Sequence, residues 1–112
     1  IPNTFEELKI LPGVGTYIAS AIRSFAFNIP DFPVDTNAFR FISRVYGISM
    51  KNSKNDALQI RYFMNQHIDL KNPRDYVYGF LDFCANICKP TKPACGKCVF
   101  QKYCHFNNKR SA

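Results

Sequence analysis

Four cysteines fall within seventeen residues, Cys88 to Cys104, in the stretch CKPTKPACGKCVFQKYC of this 112-residue chain. Lys and Pro replace apolar periodicity there, so the stretch has no means of building a core, and its order must come through the thiols. Six, two and five residues separate successive cysteines. A structural zinc site usually pairs two short knuckles with ligands two to four residues apart, and only Cys95 and Cys98 form such a pair. A cubane iron–sulfur cluster is wider than one ion and tolerates longer spans between its ligands. Spacing alone therefore favours iron–sulfur over zinc and leaves both open, with free thiols third. The fifth cysteine, Cys84, lies one helical turn before Cys88, outside the set, and reads as buried packing. An odd cysteine count beside lysines, with no secretory leader expected, argues against a disulfide framework.

The rest of the chain has the opposite character. With 46% apolar and 15% aromatic residues it can bury a core and reads as one domain or a piece of one. Charges or prolines interrupt every apolar run, so none approaches the ~18 residues of a membrane span, and a soluble protein is expected. Fifteen Lys and Arg against eight Asp and Glu give a formal charge of +7. That excess suits a polyanionic partner, nucleic acid first, although a merely basic surface explains it equally well.

Periodicity predicts an all-α chain. Thr4 and Glu7 have the capping-box spacing ahead of a short helix through Phe5, Leu8 and Ile10 that ends at Leu11-Pro12-Gly13. After the Gly13-Val14-Gly15 turn, a second helix is expected from Thr16 to about Phe27, with Ile18, Ala21, Ile22 and Phe25 on its apolar face. Two prolines break the pattern at 28–35, and Asp35 or Thr36 can cap a third helix that stops at Gly47. A polar loop at 48–54 precedes helices from about Asn55 to Ile68 and from Pro73 to Ile87, the latter with its proline in the first turn. The chain thus divides into a helical segment, 1–87, with a hairpin at about 11–16, and a cysteine-bearing loop and tail, 88–112.

Two further features carry chemistry. Glycines at 13 and 15 permit backbone conformations and close approaches that side chains block, leaving helix-start N–H groups to face an anion such as a DNA phosphate, although alone they describe a plain turn. Asp35 alone reads as a helix cap.

The pattern Cys-x6-Cys-x2-Cys-x5-Cys resembles the cluster signature of the endonuclease III and MutY branch of the helix-hairpin-helix DNA glycosylases. LPGVGTYIASAI is similar to that family's hairpin, VDTNAFRFISR to the segment bearing its catalytic aspartate, and FLDFCANIC to the approach to its first ligand, all in the family's order. The resemblance implies the C-terminal portion of the endonuclease III-like helical fold, with a [4Fe-4S] cluster on Cys88, Cys95, Cys98 and Cys104. It implies double-stranded DNA with a mismatched or damaged base as partner, positioned by Gly13 and Gly15 and by Lys89 and Lys92 of the cluster loop. Asp35 would stabilise the sugar cation or position water, with Asn37 and Arg40 in supporting roles that packing, capping or phosphate contact explain as well.

Tyr17 stands where bifunctional relatives carry the lysine that attacks the sugar. It is expected to shape the pocket for the flipped base, or to be a core aromatic. No lysine occurs between Pro12 and Phe41, so the chain is expected to be monofunctional. RDYVYGFLDFCANIC is more similar to the glycosylases that release thymine from T/G mispairs. The implied reaction is release of thymine or uracil opposite guanine, with a MutY-type removal of adenine opposite guanine or 8-oxoguanine as the alternative. A non-catalytic iron–sulfur DNA-binding fragment is the competing reading from another class, and a zinc-stabilised interaction domain is the third. The family's base-reading residues lie largely in its N-terminal half, so the 112 residues alone are expected to be inactive. A longer protein is expected to be monomeric and to work at the nucleoid of a prokaryote, or in the nucleus or an organelle of a eukaryote.

Overall fold

The computed structural model describes residues 2–111. In chain order these form α1 (Phe5–Ile10), α2 (Thr16–Ala21) running into a π-helical turn (Ile22–Ala26), α3 (Thr36–Tyr46), α4 (Lys54–Asn65), α5 (Pro73–Asn86), a 3-10 turn (Cys95–Lys97) and α6 (His105–Ser111). Among the described residues there is no strand, and no helix is long and apolar enough to cross a membrane.

Local chemistry sets most of the boundaries. The Thr4 side chain accepts the Glu7 N–H at 3.2 Å and donates to the Glu7 carboxylate at 2.7 Å, which starts α1. Asp35 starts α3 by accepting the Ala38 N–H, and Gly47 ends it in the left-handed conformation at φ 68°. Ser53 accepts the Asp56 N–H, so α4 begins one residue earlier than periodicity suggests. No side chain of Asn72 caps α5; instead Asn28, itself left-handed at φ 54°, accepts the Arg74 N–H from across the fold at 3.0 Å.

The core lies between α3, α4 and α5, where Phe32, Val34, Ala38, Phe41, Ile42, Ile60, Met64 and Val77 are buried together. Phe41 is its aromatic hub. Its ring meets Phe80 and Phe83 of α5 edge-on at 5.4 and 5.9 Å, and Phe100 of the cysteine loop at 5.4 Å. Such geometry adds about 0.5–1.5 kcal/mol per pair beyond the area buried.

The second helix departs in part from the expected face: Phe25 packs against the core as expected, and Ala21 and Ile22 are partly buried. Ala19, Ser20 and Ser24 point inward, whereas Ile18 is 43% exposed. The cause is a polar cluster beneath them. Asp31 is completely buried and receives Arg23 at 2.5 Å and a two-pronged contact from Arg61 at 2.7 and 2.9 Å. Arg61 also donates to Ser20 at 3.2 Å, and its guanidinium carbon lies over the Phe5 ring, 3.6 Å from the centroid. One carboxylate thus ties α1, α2 and α4 to the segment that leads into α3. Periodicity misses this because it counts apolar residues, and here a salt-bridged cluster occupies the interior.

An addition is α6, a helix within the 88–112 loop and tail that periodicity did not assign, and it packs on α3. The His105 ring stands 2.5 Å from where a side-chain carbon on Gly47 would sit, so this glycine is required by contact as well as by its positive φ.

Burial alone raises the pKa of Asp31, but hydrogen bonds from Arg61, Arg23 and Ser20 and the charge of Arg61 together hold it below the usual carboxylate value. A carboxyl lowered on folding contributes stability that is complete above its unfolded pKa and is lost as pH falls through the folded one. We expect Asp31→Ala to destabilise the chain by about 3–5 kcal/mol, because two guanidinium groups lose their counter-charge. Urea melts at neutral pH measure this; the wild type should weaken as pH drops below about 4, and the variant should lack that acid-dependent loss.

Candidate functional site

The hairpin is built from the end of α1 and the start of α2. The Leu11 N–H caps back to the Leu8 carbonyl, and the Val14 N–H closes the turn on the Leu11 carbonyl at 3.2 Å. Gly13 is left-handed at φ 78°, which accounts for a glycine there. Gly15 is extended, at φ −96° and ψ −169°, a conformation any residue adopts. The two glycines therefore differ: only Gly13 needs its backbone freedom. A side-chain carbon built at Gly15 meets nothing within 4 Å, so this exposed position leaves open room for a ligand to approach. No side chain caps α2 at Gly15, and its first-turn N–H groups have no partner inside the helix.

Asp35 stands half-buried at the first residue before α3. Its Oδ1 accepts the Ala38 N–H at 3.2 Å and its Oδ2 accepts the Asn37 side-chain amide at 3.2 Å. Asn37 Oδ1 then accepts from Arg40 at 2.8 Å, and Arg40 donates through Nε and Nη2 to the Cys88 carbonyl at 3.1 and 2.9 Å and, more weakly, to the Cys84 carbonyl at 3.4 Å. An unbroken hydrogen-bonded path thus joins Asp35 to the backbone of the first cysteine of the loop. These internal contacts tether Asn37 and Arg40 within the fold. Tyr17, in the first turn of α2, is 45% exposed.

The loop after α5 gathers the cysteines. The Cys88 N–H returns to the Phe83 carbonyl, the Ala94 N–H to the Ile87 carbonyl, and Cys95 and Cys98 bracket the 3-10 turn. Cys88, Cys95, Cys98 and Cys104 all line one cavity, walled by Phe41, Val45, Phe83, Ile87 and Phe106, with Arg44 at its side. Cys84 is outside this lining and is buried, which pushes its thiol up to about 12. Burial also raises the Cys98 thiol, chiefly by desolvation, with the neighbouring cysteines adding to it. N–H groups aim at sulfur, Arg44 Nη1 at Cys88 Sγ and the Phe100 amide at Cys98 Sγ, both at 3.4 Å. Among the described residues, no group of three or more His, Cys, Asp or Glu is placed to hold a metal ion. Four soft thiol donors around one apolar-walled space, with donors to their sulfurs, nevertheless fit a thiolate-bound cluster wider than a single ion.

Lys89 and Lys92 follow the first cysteine. The Lys89 carbonyl is held by Arg44 at 2.6 Å, and Lys92 is exposed and left-handed at φ 50°. Sequence reasoning missed Arg44, although its place four residues after Arg40 on one helix face was a usable signal. It also missed Asp31, a lone carboxylate in a proline-broken segment that gives no periodic sign.

Comparison with known proteins agrees with this architecture. A family model described as the helix-hairpin-helix motif matches residues 1–25. The chain is 33% identical to a thymine/uracil-DNA glycosylase of Methanothermobacter thermautotrophicus over 99% of its own length and 50% of the relative's. It is 34% identical to the human adenine DNA glycosylase over 93% of its length and 19% of that protein's. A thermostable thymine-DNA glycosylase structure superimposes with a TM-score of 0.84 at 33% identity, covering 97% of this chain and 50% of that one. Endonuclease III, in a trapped covalent complex with DNA, superimposes with a TM-score of 0.79 at 27% identity over 99% of this chain and 51% of its own. The chain thus spans about half the length of the thymine/uracil relative and of both structures. With hairpin, aspartate segment and cysteine loop in one order on one helical frame, it has the endonuclease III-like helical fold and is similar, over about half their length, to helix-hairpin-helix DNA glycosylases.

Proposed function

We propose that this chain is the hairpin- and cluster-bearing half of a monofunctional base-excision DNA glycosylase that hydrolyses the N-glycosidic bond of thymine or uracil opposite guanine. The observation that carries the reading is Asp35: a carboxylate held by two hydrogen bonds, in a region from Pro12 to Phe41 without a lysine. The similarity to a thymine/uracil-DNA glycosylase across 99% of the chain supports the choice of base. The similarity to adenine DNA glycosylases supports removal of adenine opposite guanine or 8-oxoguanine as the second reading.

Each residue then has a task. The hairpin at Gly13 and Gly15 takes a phosphate on helix-start N–H groups, which positions the duplex without reading its sequence. Lys89 and Lys92 add charge along the same backbone. The target base leaves the stack, with Tyr17 at the margin of its pocket. Departure of the base builds positive charge on the deoxyribose, and Asp35 lies ready to stabilise it or to position water. Without an amine nucleophile nearby, the strand is left intact at an abasic site. Cys88, Cys95, Cys98 and Cys104 would hold a [4Fe-4S] cluster, whose thiolate bonds supply order to a loop that has no core of its own.

Protein prepared without oxygen should carry about four iron and four sulfide per chain, read by metal analysis and a broad visible absorption. Cys98→Ser should lose that iron and disorder the loop, whereas Cys84→Ser should keep it; one zinc and no sulfide would defeat the cluster.

Duplex binding should depend steeply on salt and little on sequence. For about four neutralised phosphates, a fourfold rise in salt should weaken binding about 100-fold, measured by fluorescence anisotropy. Association indifferent to salt would remove DNA as the partner.

The chemistry is assayed in a protein carrying both halves of the family fold. Asp35→Asn keeps a capping oxygen but not the charge, and base release from a T/G duplex should fall by about 100-fold or more while binding persists. Borohydride should trap no covalent adduct. Undiminished turnover would return Asp35 to the role of a helix cap, and adenine release in place of thymine would select the second reading.

A further inference from the structure

The last turn of α3 meets both ends of the cysteine loop, and one side chain does most of the holding. Arg44 donates to Cys88 Sγ at 3.4 Å, to the Lys89 carbonyl at 2.6 Å and to the Pro90 carbonyl at 2.9 Å. These three acceptors belong to the beginning of the loop. Its far end comes to the same turn: Cys104 Sγ donates to the Arg44 carbonyl at 3.5 Å, and the Arg44 guanidinium covers the Phe106 ring at 4.8 Å from the centroid. His105 fills the space over Gly47 three residues further along. The middle cysteines, Cys95 and Cys98, stand instead on their own 3-10 turn.

We propose that Arg44 is a positioning residue that closes the two ends of the 88–106 loop onto α3 before any metal is bound, and that it donates to the Cys88 thiolate once the centre is filled; the second half rests on the cluster reading. The physical case has two parts. Closing a flexible loop costs entropy, and a scaffold that closes it in advance leaves less for ligation to offset. A thiolate set around iron also accumulates negative charge, which a permanently protonated guanidinium counters through a direct N–H to sulfur. Arg reaches sulfur, two carbonyls and an aromatic face together because its donors form a planar fork. The single ammonium of Lys cannot serve all of these places at once.

The test uses wild type, Arg44→Gln and Arg44→Lys versions of the chain, with helix content checked by circular dichroism. Without metal, trypsin should cut after Lys97 and Lys102 faster in both variants than in wild type, because the loop is no longer held. After reconstitution with iron and sulfide, iron affinity should fall about 10- to 100-fold in Arg44→Gln. The reduction potential should move to more negative values in any variant that retains its cluster, since the lost N–H favoured the reduced state. A wild type that binds no iron defeats the cluster reading alone, and the metal-free cleavage comparison still decides whether Arg44 closes the loop. Equal cleavage in all three proteins overturns the latch. A filled wild type whose iron retention and potential match those of both variants overturns the contact to the thiolate.

Discussion

The structure depends on how the carbonyl groups at the end of α5 and in the first residues of the loop beyond it are satisfied. A helix leaves its last carbonyls without partners inside the helix, and α5 ends where the chain loses its apolar residues. Arg40 reaches across from α3 to the Cys84 and Cys88 carbonyls, and Arg44 continues the row to those of Lys89 and Pro90. Cations there also oppose the negative end of the α5 dipole. One face of α3 is therefore a ladder of charge-assisted hydrogen bonds, while the other carries Ala38, Phe41 and Ile42 into the core. The core fixes where α3 lies; the ladder converts that placement into the course of a loop that cannot fold by burial.

The same logic operates at the other end of the molecule. The hairpin helices are short, six residues each before the π-helical turn, and helices of that length do not stand by propensity. Asp31 and its two arginines supply the tertiary hold, and the Phe32 N–H bound to the Asn65 side chain at 2.7 Å continues it toward α3. A buried ion cluster is a costly way to join elements, yet it joins three helices and a loop at a single point. It also links the hairpin helices to the segment that leads into Asp35 and α3.

What was legible in the sequence follows from this division. Caps, turns and the apolar face of α3 act locally, so Thr4, Asp35, Gly47 and Pro73 announced their elements. The four thiols were legible as a set because spacing is a property of the chain. Polar long-range contacts have no such signature. Asp31 finds Arg61 thirty residues away, Arg44 finds Cys88 forty-four residues away, and nothing in the neighbourhood of either predicts the partner. Ser20 and Ser24 were missed on the inward face of the second helix for the same reason, and α6 was missed because its docking depends on Gly47 and Arg44, not on a stripe of its own.

Asp35 shows why a structural role and a chemical one need not compete. An ionised carboxylate has about four lone-pair sites. The Ala38 N–H and the Asn37 amide occupy one on each oxygen, leaving about two for a ligand. Both donors aim at the oxygens whose charge could stabilise a sugar cation in the proposed reaction. They also remove the freedom of the side chain, so its charge is oriented before any substrate arrives. Capping α3 thus supplies preorganisation at no added cost, and the helix so capped carries the ladder that holds the cysteine loop. A single residue at the start of α3 can therefore serve the fold and the proposed chemistry through the same two hydrogen bonds.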